Sequence, residues 1–187
     1  MFVRIIVLLV VCASLTACAG GTTAGLGLRS DVFQVIHNEG ELGAGLLPVT
    51  ISASIKTHTE SSIPFELAQH GSDDYKLVID INGQSLDLPF ETIAETTTSD
   101  PLRDPESGSG LRYSYRATVA LRPGSYRVTA WLPTENVMAS QEVQISANSR
   151  QIIIKPLYRG LAGRKPASLR WLPTFKDGVS ALQMVVN

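Results

Sequence analysis

The chain has 187 residues, of which 44% are hydrophobic, and this suits one domain with a sizeable core. Its formal charge of −1 argues against non-specific binding to nucleic acid by the whole molecule. Beyond Val11, no apolar run approaches the roughly 20 residues that a membrane-spanning helix needs.

Residues 1–18 have the layout of a secretory signal. Arg4 supplies one positive charge, and the run Ile5–Val11 is wholly apolar but too short to span a bilayer. The tetrapeptide Leu15-Thr16-Ala17-Cys18 resembles the lipobox of bacterial lipoproteins. An ordinary signal peptide with an incidental cysteine is the alternative.

The lipobox resemblance implies a processed and acylated N-terminus. In that family residues 1–17 are removed as a signal peptide, a diacylglycerol is joined to the Cys18 sulfur, and the new amine is acylated. Stable anchoring needs two or more acyl chains, which fits this chemistry. Ala19 stands where an aspartate tends to hold such proteins in the inner membrane. The resemblance therefore implies a lipid anchor in the outer membrane, with the domain facing the periplasm or the cell surface.

Processing would leave a mature chain of 170 residues with one cysteine. Because Cys12 would leave with the signal peptide, no intramolecular disulfide could form, and the domain would have to rest on an apolar core. Residues 18–30 are predicted to be the lipidated cysteine and a flexible tether. As a coil, the uncharged stretch Ala19–Leu28 would span roughly 17 Å.

Hydrophobic alternation predicts the first strands. From Val49 to Lys56 every second residue is apolar, which is typical of a half-buried strand. A short helix is predicted over Ser61–Gly71. Asn82-Gly83 predicts a type I′ hairpin that pairs Ile79 with Leu86. The apolar residues expected on the inner face of this hairpin are Tyr75, Leu77, Ile79, Leu86, Leu88 and Phe90.

Residues 91–110 are rich in Thr, Ser, Asp, Pro and Gly, and are predicted to be a mobile insertion or a partner-binding loop. Their five acids accompany one base, Arg103. These acids do not match the spacing of a known calcium loop, so a solvated loop is the favoured interpretation and a calcium site the alternative.

A second long hairpin is predicted over Leu111–Leu132, with its turn at Pro123-Gly124. A two-residue turn would set Arg116 opposite Trp131 in a cation–π geometry, although a bulge could shift this register. The run Ala120–Thr129 is similar to the "x-Leu-x-Pro-Gly-x-Tyr-x-Val-x" turn of PEGA-like and carboxypeptidase-regulatory-like modules. These modules are small β-sandwiches of bacterial surface proteins, so the resemblance implies a sandwich that usually has no catalytic residues.

A further strand pair is predicted about a turn at Asn148-Ser149, and a final strand over Val179–Val186. The apolar residues facing each other across that turn would be Val143, Ile145, Ile152 and Ile154. Roughly seven to nine short strands separated by turn signals predict an all-β fold. We expect a single-domain antiparallel β-sandwich over residues 31–187, immunoglobulin-like or PEGA-like.

No catalytic, cofactor or metal motif is found in the sequence. His37, His58 and His70 are scattered, and none has a second ligand at metal spacing. The chain lacks a Gly-x-Ser-x-Gly elbow, a His-Glu-x-x-His helix and a Cys-x-x-Cys pair. We therefore predict no cofactor, no metal and no enzyme activity, unless carboxylates from distant segments converge.

Two features point to partner surfaces. Trp-Leu-Pro-Thr occurs at 131–134 and again at 171–174; exposed Trp can stack on sugars, with core or edge packing as the alternative. From Val143 to Lys176 there are seven bases and no acid, which suits either an acidic partner or a solvated strand edge. The residues predicted for a partner surface are Arg164, Lys165, Arg170, Trp171, Arg116 and Trp131.

These patterns predict an outer-membrane-anchored lipoprotein that acts as a non-catalytic accessory or binding module of a cell-envelope assembly. Its partners would be the membrane, through Cys18, and an envelope protein, an anionic lipid or a glycan. A glycan-binding surface lipoprotein is the first alternative, and an envelope hydrolase is the second.

Overall fold

The computed structural model describes residues 27, 29–37, 42–58, 75–160 and 172–187. These residues form ten β-strands and two 3₁₀ turns, at Pro133–Glu135 and Phe175–Asp177. The strands are β1 (Gln34–Val35), β2 (Leu47–Thr57), β3 (Val78–Ile81), β4 (Gln84–Asp87), β5 (Phe90–Thr97), β6 (Gly108–Leu121), β7 (Gly124–Leu132), β8 (Val137–Ile145), β9 (Gln151–Tyr158) and β10 (Val179–Val186). The predicted signal peptide, most of the predicted tether and the predicted helix over Ser61–Gly71 lie outside the described residues.

The strands form two sheets. In the first, sheet A, strands β1, β6, β2, β9 and β10 lie side by side in that order, and β5 pairs with the part of β6 that β1 leaves free. Strands β4, β3, β7 and β8 form sheet B. Neighbouring strands are antiparallel, except that β2 and β9 run parallel. The two sheets pack together around an apolar core, so the predicted all-β sandwich is confirmed.

Alternation places every second side chain of the central strands in the core. On β2, Val49, Ile51 and Ile55 are fully buried, as the sequence predicts. Val119 of β6 and Val128 of β7 are also fully buried, in opposite sheets. Burial of each such side chain contributes roughly 1.5–3 kcal/mol. The apolar layer between the sheets is therefore the main stabilising element.

Strands β3 and β4 form the hairpin predicted at Asn82-Gly83. Both turn residues have positive φ, 49° and 88°, as a type I′ turn requires. Ile79 pairs with Leu86, which is the predicted register. The side chain of Asp80 fixes the turn, because its Oδ1 accepts a hydrogen bond from the Gly83 amide at 2.9 Å.

Strand β5 replaces part of the loop predicted over residues 91–110. The sequence predicts that Phe90 belongs to the hairpin at Asn82-Gly83, but Phe90 pairs instead with Tyr115 in sheet A. The loop prediction is therefore wrong for residues 91–97 and 108–110, and only residues 98–107 connect the two strands. The strand was missed because most of its side chains are exposed, so it lacks apolar alternation.

The predicted hairpin over Leu111–Leu132 is wrong. Strand β6 has β2, β1 and β5 as neighbours in sheet A, whereas β7 has β3 and β8 as neighbours in sheet B. The connection at Pro123 therefore carries the chain from one sheet to the other. Alternation cannot distinguish the two geometries, because Val119 and Val128 point into the core in both.

The turn predicted at Asn148-Ser149 also joins the two sheets, so the strand pair predicted about it is wrong. The Ser149 amide donates to the Ser146 carbonyl at 3.2 Å, between β8 in sheet B and β9 in sheet A. The apolar residues predicted to face each other across it are all buried. They are Val143, Ile145, Ile152 and Ile154. The final strand, β10, has the predicted bounds Val179–Val186 and pairs with β9.

The sandwich has two ends that matter for attachment. At one end, which we call the tether end, the Arg29 amide donates to the Gly83 carbonyl at 2.9 Å, and Gln84 Oε1 accepts from the Phe33 amide at 3.0 Å. At the far end lie the end of β2, the connection over residues 98–107 and both 3₁₀ turns. The 11 residues of β2 separate the two ends by roughly 36 Å.

Candidate functional site

Two of the predicted partner residues are described, and they lie on opposite faces of the molecule. Arg116 of β6 is exposed on the outer face of sheet A. Trp131 of β7 is half-buried on the outer face of sheet B, where it pairs with Met138 and Val78. The predicted Arg116–Trp131 cation–π contact is therefore wrong, because the two strands belong to different sheets.

The remaining predicted residues lie outside the described part of the chain. They are Cys18, Arg164, Lys165, Arg170 and Trp171. We call residues 161–171 the basic segment. The chain on either side of it is described, and the Thr174 amide donates to the Arg159 carbonyl at 3.0 Å. Both flanks lie at the far end of the sandwich, since β9 ends there. The basic segment therefore joins the fold at the end opposite the tether end.

The outer face of sheet A carries a groove that follows β2. The outward side chains of β2 are small, and Thr50, Ser52 and Ser54 lie in succession along it. Two cavities of about 600 Å³ and 710 Å³ share Arg116 as a common wall. The first extends towards the tether end, and the second lies beside Phe90 of β5. We call these two cavities the sheet A groove.

The tether-end half of the groove is positively charged. Arg116, Arg150 and His37 line the first cavity, which has no carboxylate among its described lining residues. Arg116 makes no ion pair with any described residue. Arg150 donates its Nε to the Ala147 carbonyl at 2.7 Å, so its terminal N–H groups remain for a ligand. The second cavity has one carboxylate, Glu91.

A cluster of acids and bases lies at the far end. Lys56 and Arg112 are directly opposite each other on β2 and β6, an arrangement that repels unless acids lie nearby. Glu95 Oε1 lies 3.5 Å from Lys56 Nζ, and Arg112 donates to both Glu95 oxygens, at 2.5 and 2.8 Å. Glu106 accepts a further bond from Arg112 at 2.6 Å. We call these four residues the far-end cluster.

Lys56 is fully buried, although alternation predicts that it is exposed. Its Nζ donates to the Glu106 and Gly108 carbonyls, both at 2.8 Å, and to Thr97 Oγ1 at 2.9 Å. It also lies 5.0 Å from the centre of the Phe175 ring, within cation–π range. Three acceptors match the three donors of an ammonium group, which makes its burial tolerable.

Gly110 allows the strands to approach closely at this end. A Cβ atom at this position would lie 2.3 Å from the Thr57 carbonyl oxygen and 2.8 Å from a Phe175 ring carbon. No larger residue fits without a shift of the backbone. Gly110 is therefore part of the packing that covers Lys56.

Hydrogen bonding holds Glu95 and Arg112 of the far-end cluster in their charged forms. The bonds from Arg112 lower the pKa of Glu95 to about 2, and the same contact raises the pKa of Arg112. Burial raises the pKa of Tyr158, whose hydroxyl donates to Glu106 Oε1 at 2.6 Å and accepts from the Lys56 amide at 2.9 Å. Glu95 and Arg112 are therefore both ionised near neutral pH.

A second buried acid, Glu135, connects a 3₁₀ turn to β9. The Tyr75 hydroxyl donates to Glu135 Oε1 at 2.8 Å, and Arg159 donates to the Glu135 carbonyl at 3.1 Å. Burial, followed by the nearby Glu135 charge, raises the pKa of Tyr75. Tyr75 therefore stays a hydrogen-bond donor throughout the neutral range.

Sequence reasoning identified Arg116 but missed its surroundings. The run of small hydroxyl residues at alternate positions of β2 was a signal for a groove on the outer face. The excess of acid in residues 91–110 was a signal that bases from elsewhere, here Lys56 and Arg112, had to lie beside them. Neither signal gives the partner strand, so neither site could be assembled from the sequence.

Within the described ranges, no three His, Cys, Asp or Glu side chains gather as a metal site. None of the helices there is long and apolar enough to cross a membrane. Comparison of the chain with protein-family models, curated proteins and solved structures gave no match.

Proposed function

We propose that this protein is an outer-membrane-anchored lipoprotein whose β-sandwich is a non-catalytic accessory or binding module of a cell-envelope assembly. The Leu15–Cys18 tetrapeptide supports the anchor, because it ends the apolar run with small residues and a cysteine. The observation that carries the binding role is the sheet A groove, whose first cavity is lined by Arg116, Arg150 and His37 and by no described carboxylate.

The far-end cluster stabilises the fold and is not suited to acid–base catalysis. Its four charged groups bond to one another and to nearby carbonyls, so their charges stabilise the fold. A general acid or base needs a poised proton next to substrate. Glu95, with a pKa of about 2, is far from that condition near neutral pH.

The position of the tether favours partners at the side and at the far end. The chain joins the domain at Arg29, beside Gly83, so an anchor at Cys18 would hold the tether end near the membrane. A tether of roughly 17 Å is short compared with the roughly 36 Å length of the sandwich. The sheet A groove, on the side of the sandwich, is then open to polymers that lie alongside the membrane.

A glycan-binding lipoprotein is the alternative that one observation favours. The second cavity of the groove combines the hydroxyls of Ser52, Ser54 and Ser114 with the Glu91 carboxylate. Hydroxyl and carboxylate groups together can bond to the hydroxyl groups of a sugar. Trp131 is a weaker candidate for sugar stacking because it is half-buried.

Membrane fractionation tests the anchor. The wild-type chain should sediment with the outer membrane, whereas Cys18→Ser should leave that fraction and keep residues 1–17. Cys12→Ser is the matched control and should behave like the wild type, because Cys12 lies in the apolar run. Equal amounts of Cys18→Ser and wild type in the outer membrane, at the same mature size, would overturn the proposal.

A further inference from the structure

We propose that the sheet A groove binds an acidic saccharide, with the acid group held between Arg116 and Arg150 and the sugar rings along the serine side chains of the second cavity. This inference rests on the proposed binding role. It does not depend on the lipid anchor, because the groove lies wholly within the sandwich.

The charge of the groove requires an anionic ligand. Arg112, on the same outer face of β6, is neutralised by Glu95 and Glu106 at 2.5 and 2.6 Å. Arg116 has no such acid among the described residues. Arg150 donates only its Nε–H to a carbonyl, that of Ala147. Guanidinium groups bind carboxylate and phosphate oxygens through two parallel N–H bonds. Arg116 and Arg150 both line the first cavity, so both are placed to bind the acid group.

The second cavity fits the neutral part of a sugar. Ser52, Ser54 and Ser114 line it with hydroxyl groups that both donate and accept hydrogen bonds. Glu91 accepts bonds from sugar hydroxyls. Together these groups suit the hydroxyl-rich part of a saccharide.

The shape of the groove agrees with a chain longer than one sugar. The two cavities measure about 600 Å³ and 710 Å³ and meet at Arg116. Each lies in the range of about 300–1,000 Å³ that is typical of small-molecule sites. Since the small side chains of β2 form the floor of both, an extended chain can run from one into the other along the strand.

The test measures binding to the full-length protein, purified from membranes in a neutral detergent, by isothermal titration calorimetry. The acidic probes are an oligogalacturonate and a phosphorylated oligomannose, which separate carboxylate from phosphate as the acid group. A maltooligosaccharide of equal length serves as the neutral probe, and polyglutamate as the acidic peptide. We expect at least one acidic saccharide to bind more tightly than both the neutral saccharide and polyglutamate.

Substitutions test whether the saccharide binds in the sheet A groove. The double variant Arg116→Gln, Arg150→Gln should bind the acidic saccharide about tenfold more weakly or worse, because two charge-assisted contacts are lost. Arg127→Gln, on the outer face of sheet B, is the control for the loss of an arginine outside the groove and should bind normally. Ser54→Tyr, which fills the floor of the groove and keeps every charge, should also abolish binding. Thermal unfolding monitored by circular dichroism checks that each variant is folded.

The inference is overturned if wild-type protein binds neither acidic saccharide, or if the double variant and Arg127→Gln weaken binding equally. Tighter binding of polyglutamate at the same arginines would overturn the saccharide assignment and keep the binding role. Neither result bears on the lipid anchor, which membrane fractionation tests separately.

Discussion

The burial of the Lys56 ammonium group depends on the acceptors around it. A buried ammonium is costly unless it is paired and hydrogen-bonded. Here the Glu106 and Gly108 carbonyls, Thr97 and Glu95 together meet that need. The side chain consequently ties the end of β2 to the β5–β6 hairpin.

Lys56→Met should therefore destabilise the protein by about 2–4 kcal/mol, because two carbonyls and the Thr97 hydroxyl lose a buried donor and Glu95 loses its ion pair with Lys56. The control is Lys155→Met, which removes an exposed lysine from β9 and should change stability by less than about 0.5 kcal/mol. Chemical denaturation of the purified full-length protein measures both. Equal, small effects would contradict the structural role of Lys56.

Glu95 makes stability depend on pH in the acid range. Its pKa is lowered from 4.5 to about 2 in the folded protein, chiefly by the hydrogen bonds from Arg112. A lowered folded-state pKa stabilises the protein above the unfolded-state pKa, and this stabilisation is lost as the pH falls from about 4.5 towards 2. Its size is about 1 kcal/mol, since a third of the side chain is exposed to screening water.

Glu95→Gln should accordingly be less stable than the wild type at pH 7. The difference in stability between the two proteins should shrink as the pH falls from about 4.5 towards 2. Thermal unfolding between pH 7 and pH 2 measures it. Glu142→Gln, which removes an exposed carboxylate paired with Arg127, serves as the control. A difference between wild type and Glu95→Gln that stays constant down to pH 2 would refute the assignment.

At the scale of elements, three described connections between consecutive strands pass from one sheet to the other. They are the links at Leu88-Pro89, at Pro123 and at Asn148-Ser149. As a result, β6 and β7 are consecutive in the chain but lie in different sheets. The core is closed by side chains that meet from opposite sheets, so each buried residue of β7 matters to both layers.

Val128→Ala should cost on the order of 1–3 kcal/mol, because Val128 is fully buried between the sheets. Arg127→Ala, one residue earlier on the exposed face of the same strand, should cost little. Urea denaturation of the full-length variants gives both values. If the two substitutions have the same negligible effect, the alternation assigned to β7 is incorrect.

How far the sequence predicts this fold differs from element to element. Strand β2 and the hairpin at Asn82-Gly83 were predictable, because alternation and positive φ are local properties. The sheet to which β7 belongs was not, since Val128 points into the core in either geometry. Strand β5 carries no periodic apolar signal, because it lies at an edge of sheet A.

The candidate site was less predictable than the fold. Arg116 could be named from its charge and its position on the outer face. Its juxtaposition with Arg150 and His37 needs three elements to converge, and no local pattern encodes that. Lys56 was predicted to be exposed because the residues that cover it come from β5, β6 and the 3₁₀ turn at Phe175–Asp177.

At the scale of the whole molecule, attachment and binding are assigned to different parts of the chain. The tether joins at Arg29, the sheet A groove runs along the side, and the far-end cluster closes the opposite end. The basic segment over residues 161–171 joins the fold at the far end.

The central claim is that Cys18 becomes the lipidated first residue of the mature protein, and intact-mass and peptide mass spectrometry of the chain extracted from membranes tests it most directly. The account predicts an N-terminal peptide that begins at Cys18 and carries a diacylglycerol on its sulfur and an acyl chain on its amine. The same measurement on Cys18→Ser should give no acylated peptide. An unmodified cysteine at position 18 of the wild type, or cleavage at another bond, would contradict the claim.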